Sequence, residues 1–307
     1  MYQPTRPSSS ATLPVRHMHY HVHTWGTPQP GTAPLVLAHG WMDVGASYQF
    51  VVDAFSAAFA QGRFIIAPDW RGFGRSMPSA PCDSYSFNDY VGDLDALLDH
   101  FAPGDTPIDL VGHSMGGNVA MMYAGARPPR IRRLVNLEGF GLPATQPTQA
   151  PQRLGLWLDE LRQLHTGQMQ LKTYDSVQGV AERLCKTNRR LDPAKALWLA
   201  HQWAAPDAQG RWAILGDTAH KVTNPQLFRV EEMLALYAAI TAPVLVVEAA
   251  EDSLGSWWTQ NYSLAEFHER LKFVPNVQVE RVSDAGHMVH HDQPRAVAQW
   301  IESFCSA

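Results

Sequence analysis

Two blocks of the chain alternate between apolar runs and helical periodicity, one before about residue 141 and one after about residue 241. Short apolar or alternating runs predict strands at 35–38, 63–67, 108–111, 131–137, 243–248 and 277–282. Apolar stripes with helical spacing predict helices at 47–60, 85–101, 115–126, 256–272 and 294–304. This alternation is typical of an α/β fold in which helices cover both faces of a mostly parallel sheet.

The segment between the two blocks, residues 142–240, shows no such alternation, and its pattern is helical and rich in tryptophan. Asp192-Pro193 and Asn224-Pro225 each combine a capping residue with a proline suited to the first helical position. They predict two helix starts, and the second helix should reach about residue 240. We therefore interpret 142–240 as a helical cap inserted into a core formed by 15–141 and 241–307.

The N-terminal end combines two patterns. Residues 1–14 are rich in proline and serine and lack the apolar core of a signal peptide, which predicts a loose tail. Residues 15–25 alternate strongly and predict a strand with four histidines on one face, His17, His19, His21 and His23. Because a linear row of histidines does not close a tetrahedral cage by itself, we interpret the row as a polar strand face and expect no metal site.

Composition restricts the class of protein. The chain has 307 residues, of which 45% are hydrophobic and 17% charged, so it can bury a large core. Its net charge is −5, and it has no basic run and no apolar run near the ~20 residues of a membrane span, so we expect neither a nucleic-acid nor a membrane partner. Three distant cysteines, Cys82, Cys185 and Cys305, suit a reduced cytoplasmic protein better than a disulfide-bonded one.

A candidate nucleophile follows the predicted strand 108–111. The run Gly112-His113-Ser114-Met115-Gly116 has the spacing of a turn so tight that side chains at its flanks would clash, and glycines remove those clashes. The turn would hold the Ser114 hydroxyl above the sheet edge at the N-terminus of a helix, where backbone N–H groups favour negative charge. We expect Ser114 to be a catalytic nucleophile.

A serine nucleophile needs a base, and the base needs an orienting acid. His287, in the loop after the last predicted strand and preceded by Gly286, is the expected base. Asp252, which follows the strand 243–248, is the expected acid, and the order Ser, Asp, His agrees with the elbow interpretation. Glu138, at the end of the strand after the elbow helix, is the alternative acid.

Two further groups of residues are expected around the nucleophile. The backbone N–H groups of Met115 and Trp41 are the expected donors to a developing oxyanion. Tryptophans should line a largely apolar substrate pocket, with packing inside the cap as the alternative for each: Trp41, Trp157, Trp198, Trp203 and Trp212.

These motifs resemble those of the α/β-hydrolase family over nearly the whole chain. The matching segments are His39-Gly40-Trp41, Asp69 to Ser76, the Ser114 elbow, Asp252 and Gly286-His287. His39 to Asp43 and Glu138 to Gly141 are most similar to bacterial serine-hydrolase-like and esterase members. The resemblance implies an eight-stranded sheet, a helical cap over the active site and no cofactor.

The chain departs from the family pattern at Ala249, where a glycine often precedes the acid, and this keeps Glu138 open as the acid. Haloalkane dehalogenases in the family have a glutamate after the same strand, but their nucleophile is an aspartate.

The expected function is hydrolysis of carboxylic esters of small to medium, largely apolar molecules through an acyl-Ser114 intermediate. The same triad would also serve C–C bond, lactone or amide hydrolysis or perhydrolysis, and a slow-turnover ligand receptor is the alternative from another class. We expect a small-molecule substrate and neither a cofactor nor a metal. The oligomeric state stays open, with a homodimer as one alternative.

Overall fold

A computed structural model describes residues 1–258 and 261–307. Eight strands form the main sheet: β1 (Ser9–Val15), β2 (Met18–Trp25), β3 (Leu35–Ala38), β4 (Ile65–Pro68), β5 (Ile108–His113), β6 (Ile131–Leu137), β10 (Val244–Ala249) and β11 (Val277–Val282). Three short strands form a second sheet: β7 (Thr173–Tyr174), β8 (Ala204–Pro206) and β9 (Trp212–Ile214).

The main sheet has the strand order β1-β2-β4-β3-β5-β6-β10-β11. β1 and β2 form an antiparallel hairpin, and β2 pairs antiparallel with β4. All the other neighbours in this sheet pair in parallel. The predicted α/β class and the eight-stranded, mostly parallel sheet are confirmed. Since parallel strands end at one edge, the loops after β3, β5, β6, β10 and β11 lie together there.

The helices described are α1 (Gln49–Ala54), α2 (Ala57–Gln61), α3 (Phe87–Phe101), α4 (Met115–Ala126), α5 (Ala150–His165), α6 (Val177–Thr187), α7 (Pro193–Trp203), α8 (Val230–Ala239), α9 (Ser253–Trp258), α10 (Leu264–Leu271), α11 (Val289–Asp292) and α12 (Pro294–Ser306). Both faces of the sheet are covered. Side chains of α3, α4, α8 and α10 form one buried cluster, and those of α1 and α12 form another on the opposite face. Within the described residues, no helix combines the length and the apolar character needed to cross a membrane.

The prediction of a loose tail over residues 1–14 is wrong. Ser9–Val15 pairs along its length with β2, and Leu13 and Val15 are buried. Before the strand, the ring of Tyr2 packs at 5.1 Å from that of Phe50, and its hydroxyl donates to Asp53. The high proline and serine content made the segment resemble a loop, and its short alternation of apolar and polar residues is buried only because β2 pairs with it.

The cap region departs from its predicted details. Asp192 caps α7 as expected, because its Oδ1 accepts from the backbone N–H groups of Ala194 and Lys195. Asn224 instead holds a turn through a bond from the N–H of Gln226, and the helix starts only at Val230. That helix, α8, packs against α4 as part of the core, so the cap ends before it.

Two predicted helices are divided in the structure. The helix predicted at 47–60 is interrupted after α1, and Ser56 caps the separate helix α2. The helix predicted at 256–272 corresponds to α9 and α10, and its residues 259–260 lie outside the described residues. Helical periodicity alone does not show such breaks, because both pieces bury the same kind of apolar stripe.

Candidate active site

Ser114 occupies a strained turn between β5 and α4. Its backbone has φ +52° and ψ −115°, a conformation that side-chain-bearing residues rarely adopt. A Cβ on Gly112 would lie 2.3 Å from the carbonyl oxygen of Gly116, and a Cβ on Gly116 would lie 2.2 Å from that of Ala38. The glycines are therefore required sterically, as the spacing of the turn predicts.

Backbone strain is concentrated around Ser114. Five non-glycine residues of the described chain have positive φ, and three of them, Met42 (+54°), Ser114 (+52°) and Glu138 (+55°), line one cavity. Each such position costs free energy that the surrounding structure must offset, and strain of this kind clusters at active sites and ligand clamps. The strain and the cavity therefore identify the same edge of the sheet as the candidate site.

The structure brings His287 to this cavity, beside Glu138. His287 follows β11, and its Nδ1 lies 3.3 Å from Oε2 of Glu138. Glu138 is almost fully buried, with 1% of its side chain exposed, whereas 17% of the His287 side chain is exposed. Ser114 and His287 both line the cavity, and within the described residues no hydrogen bond joins the Ser114 hydroxyl to the imidazole.

Glu138, rather than Asp252, is the carboxylate that faces the histidine. Oε1 of Glu138 accepts from the N–H of Ala249 at 2.6 Å, and its Oε2 accepts from the hydroxyl of Ser253. Asp252 is exposed, and its Oδ1 accepts from the N–H of Gly255 at 2.9 Å, which caps α9. The expected contact of Asp252 with the histidine is thereby corrected in favour of Glu138, because the Asp252 carboxylate caps the start of α9 instead.

Burial shifts the two titrating groups in opposite directions. Burial lowers the pKa of His287 to about 3, which favours the neutral imidazole that a general base requires. Burial raises the pKa of Glu138 to about 7, although the hydrogen bonds from Ser253 and Ala249 oppose this rise. Near neutral pH, the gain or loss of one proton on Glu138 therefore changes the net charge of the pair.

The expected oxyanion donors lie at the cavity. Trp41 and Met115 both line it. Among the described residues, neither of their backbone N–H groups donates to a protein acceptor. Met115 opens α4, and the first N–H groups of a helix have no partner within the helix. In the described part of the chain, both N–H groups therefore lie at the cavity without a protein acceptor.

The cavity itself lies between the sheet edge and the cap and has a volume of about 920 Å³, in the range of small-molecule sites. Its walls are largely apolar and include Met42, Phe87, Phe140, Leu171 and Ile214. A bound molecule of small to medium size would therefore be surrounded mainly by carbon.

Two of the five tryptophans proposed for the pocket contribute to its wall, Trp41 and Trp203. Trp157, Trp198 and Trp212 do not, which corrects the expectation for these three. Trp198 packs instead on Tyr2, with ring centroids 5.5 Å apart. Residues five apart on a helix point about 140° away from each other, so Trp198 and Trp203 of α7 could not both face the cavity.

The α/β hydrolase fold family has a sequence profile that matches residues 33–294, which is most of the chain. The chain belongs to the α/β hydrolase family.

This α/β hydrolase is similar to proteins of several kinds. A cis-3-alkyl-4-alkyloxetan-2-one decarboxylase of Shewanella oneidensis is 28% identical over 279 residues, which cover 88% of this chain and 81% of the relative. A serine hydrolase-like protein of Danio rerio is 25% identical over 307 residues, 97% of this chain and 89% of the relative. The thioesterase domain from the curacin biosynthetic pathway has the same fold, with a TM-score of 0.81 and 24% identity over 96% of this chain and 99% of that domain.

Several side chains of the hydrolase site were not predicted from the sequence. Trp257 of α9 packs edge-on against the His287 ring, with centroids 4.1 Å apart. His220 stacks between Phe73 and Tyr85, at 3.7 and 3.8 Å, and it lines the cavity. The position of Ser253, just after β10, was a usable signal for a residue near the acid. For Trp257 and His220 the sequence carried no comparable signal, because their place depends on how the cap packs.

A buried network of polar side chains connects the segments that carry the site of the hydrolase. His113, within the elbow motif, donates from Nε2 to the carbonyl oxygen of His287 at 2.7 Å. The Asp43 carboxylate accepts from the hydroxyl of Ser47 at 2.8 Å and from the indole N–H of Trp203 at 3.1 Å, and it lies 3.4 Å from Nε2 of His290. Asp43 therefore connects the segment after β3, the cap and the segment that follows His287.

Two groups of buried side chains have ligand-type atoms within 4.8 Å of one another in the described chain. One is His21, His23 and Asp69, and the other is Asp43, His113 and His290. In the first group Nδ1 of His21 lies 2.9 Å from Oδ2 of Asp69. His21 and His23 are buried, and the expectation that the histidine row forms a polar strand face without a metal stays a prediction.

Proposed function

We propose that this α/β hydrolase cleaves carboxylic esters through an acyl-Ser114 intermediate, with His287 as the general base and Glu138 as the acid that orients it. One observation carries the proposal. A serine at φ +52° lines the same cavity as a histidine whose Nδ1 lies 3.3 Å from a buried carboxylate. Such a carboxylate keeps the proton on Nδ1 and leaves Nε2 free to accept one.

In the first half-reaction, the Ser114 oxygen attacks the ester carbonyl carbon while Nε2 of His287 takes the hydroxyl proton. The carbonyl oxygen becomes negatively charged and accepts hydrogen bonds from the N–H groups of Trp41 and Met115. The intermediate then releases the alcohol, which receives the proton from His287, and the acyl group stays on Ser114.

In the second half-reaction, water attacks the acyl-enzyme carbonyl and gives its proton to His287. The same two N–H groups bind the oxyanion again. Collapse of this intermediate returns the proton to Ser114 and releases the carboxylic acid. The net reaction consumes one ester and one water and yields one acid and one alcohol.

The cavity supports the expected substrate class. Its volume of about 920 Å³ and its largely apolar walls favour acyl chains of short to medium length or aromatic groups over strongly polar molecules. The nucleophile being serine argues against dehalogenation, which the family performs with an aspartate.

The direct test is labelling by a fluorophosphonate probe together with turnover of p-nitrophenyl butyrate. We expect both to disappear in Ser114→Ala. Both should persist in the control Ser263→Ala, which changes a serine that caps α10. Labelling or turnover that survives in Ser114→Ala would overturn the proposal.

The alternative reactions are separated by the same assay with matched amide, lactone and carbon–carbon substrates and with peracid formation. The proposal expects the ester to have the highest kcat/KM of the set. A receptor would instead show a saturable rise in melting temperature with ligand and no burst of acylation.

A further inference from the structure

Three positively charged side chains line the opening of the cavity, although the chain as a whole has a net charge of −5. Lys172, Arg183 and Lys221 all belong to the cap, and all three are exposed while they also contribute to the cavity wall. Side chains that are both exposed and part of the wall mark the mouth of the cavity rather than its floor. We call these three residues the cationic rim.

The charges of the cationic rim are not neutralised by carboxylates in the described part of the chain. Lys221 donates to the carbonyl oxygen of Gln170 at 2.7 Å, and Arg183 donates to the hydroxyl of Thr187. The ammonium of Lys172 lies 5.2 Å from the centre of the Tyr174 ring. All these partners are uncharged, so each cation keeps its full charge toward the solvent at the mouth.

The remainder of the cavity wall offers almost no negative charge. Among the residues described as lining it, Glu138 is the one with an acidic side chain, and it lies buried beside His287 at the catalytic end. A cleft with charge of one sign and apolar walls concentrates its field and attracts ligands of the opposite sign. The apolar middle of the cavity therefore favours an apolar segment of a ligand, and the cationic rim favours an anionic group on the same ligand.

We infer that the substrate is amphipathic and carries an anionic group, a carboxylate or a phosphate, which stays at the cationic rim while an apolar segment reaches toward Ser114. This inference rests on the proposed ester hydrolysis and adds the charge of the substrate to it. The anion need not be buried, because the rim is exposed and the group keeps part of its hydration.

The first test compares two p-nitrophenyl esters of equal length, the hexanoate and the adipate hemiester, which differ by a methyl or a carboxylate at the far end of the chain. A second pair places the charge on the alcohol side: the hexanoyl esters of 3-(4-hydroxyphenyl)propionate and of its methyl ester. We expect the anionic member of one pair to have the higher kcat/KM at low salt, and that pair shows which side of the ester carries the anion. The preference should weaken as ionic strength rises.

The second test removes the charges. In the triple variant Lys172→Gln, Arg183→Gln, Lys221→Gln, we expect the ratio of kcat/KM for the anionic ester to that for the neutral ester to fall about tenfold, since exposed contacts of this kind contribute about two- to threefold each. The matched control is Lys186→Gln, Arg189→Gln, Arg211→Gln, which removes three exposed cap cations that do not line the cavity. The control should keep the wild-type ratio, although its net charge changes equally.

The outcomes separate the two proposals. Equal kcat/KM for both members of both pairs, or an equal fall of the ratio in the two triple variants, would overturn the anionic-substrate inference while Ser114-dependent hydrolysis stands. Absence of Ser114-dependent hydrolysis for every ester, the neutral ones included, would overturn the proposed function itself.

Discussion

The carboxylate of Glu138 lies 3.3 Å from Nδ1 of His287, although 149 positions separate the two residues in the chain. Glu138 directly follows β6, and His287 follows β11, two strands further along the sheet. Both loops emerge at the same edge because the strands between them run parallel. The pair gives this hydrolase a buried acid–imidazole contact next to Ser114, and Asp252 is left to cap a helix.

Substitution of Glu138 should therefore reduce turnover far more than substitution of Asp252. Glu138→Gln removes the charge that stabilises the imidazolium and permits the wrong tautomer, so we expect kcat for p-nitrophenyl butyrate to fall on the order of 10³-fold or more. Asp252→Asn should stay within about threefold of wild type, because it affects a helix cap. Steady-state kinetics of the two purified variants measure both effects.

Fluorophosphonate labelling and melting temperature provide the control for that comparison, since a folded Glu138→Gln protein keeps its nucleophile. A greater loss of turnover in Asp252→Asn than in Glu138→Gln would show that the orienting acid is Asp252.

The pH dependence of kcat/KM should follow the protonation state of Glu138. With its pKa lowered to about 3, His287 is neutral over the usual pH range, whereas Glu138 gains a proton as the pH falls through about 7. Protonation removes the negative charge that stabilises the developing imidazolium, so kcat/KM should rise with pH through about 7.

The residual activity of Glu138→Gln shows whether Glu138 causes the pH dependence of kcat/KM. It should vary little between about pH 5 and pH 8, because the titrating carboxyl is gone. The assignment fails if the acidic limb of the profile keeps the same midpoint in that variant.

The elbow glycines make a steric prediction. In Gly116→Ala the new methyl group would lie 2.2 Å from the carbonyl oxygen of Ala38, so we expect the free energy of unfolding to fall by at least about 2 kcal/mol and turnover to be lost. Gly155→Ala on α5 is the matched control. No atom lies within 4 Å of its added methyl, and the free energy of unfolding should rise by about 0.5–1 kcal/mol. Urea unfolding measures both, and equal effects would refute the steric argument.

Asp43 should matter for stability because it holds three segments together. Asp43→Ala leaves the hydroxyl of Ser47, the N–H of Val44 and the indole N–H of Trp203 without their acceptor, and we expect a loss of about 3 kcal/mol. Asp252→Ala, which removes an exposed helix cap, should cost about 1 kcal/mol. Urea titrations at pH 7 compare them, and a similar cost for both would show that the network contributes little.

Local patterns predicted the elements that depend on neighbours in the chain. The bounds of α4 and of the strands β6 and β11 agree with the predicted ranges, and Asp192 caps α7 as expected. The strand β1 was missed, because its two buried residues become apolar contacts only when β2 lies alongside. Helix breaks at Ser56 and at Ser263 also depend on packing that periodicity does not encode.

By itself, the sequence determined the mostly parallel sheet and the place of Ser114 and His287 at its edge, because the alternation of strand and helix patterns and a glycine-flanked turn are encoded by residues close together in the chain. Only the tertiary structure showed that Glu138 and not Asp252 faces His287, since both acids follow strands that end at the same edge and the contact depends on side-chain direction. It also decided which tryptophans face the cavity and where the cationic rim lies. Those features arise where the cap meets the core, between segments far apart in the chain, and contacts of that kind leave no periodic signal.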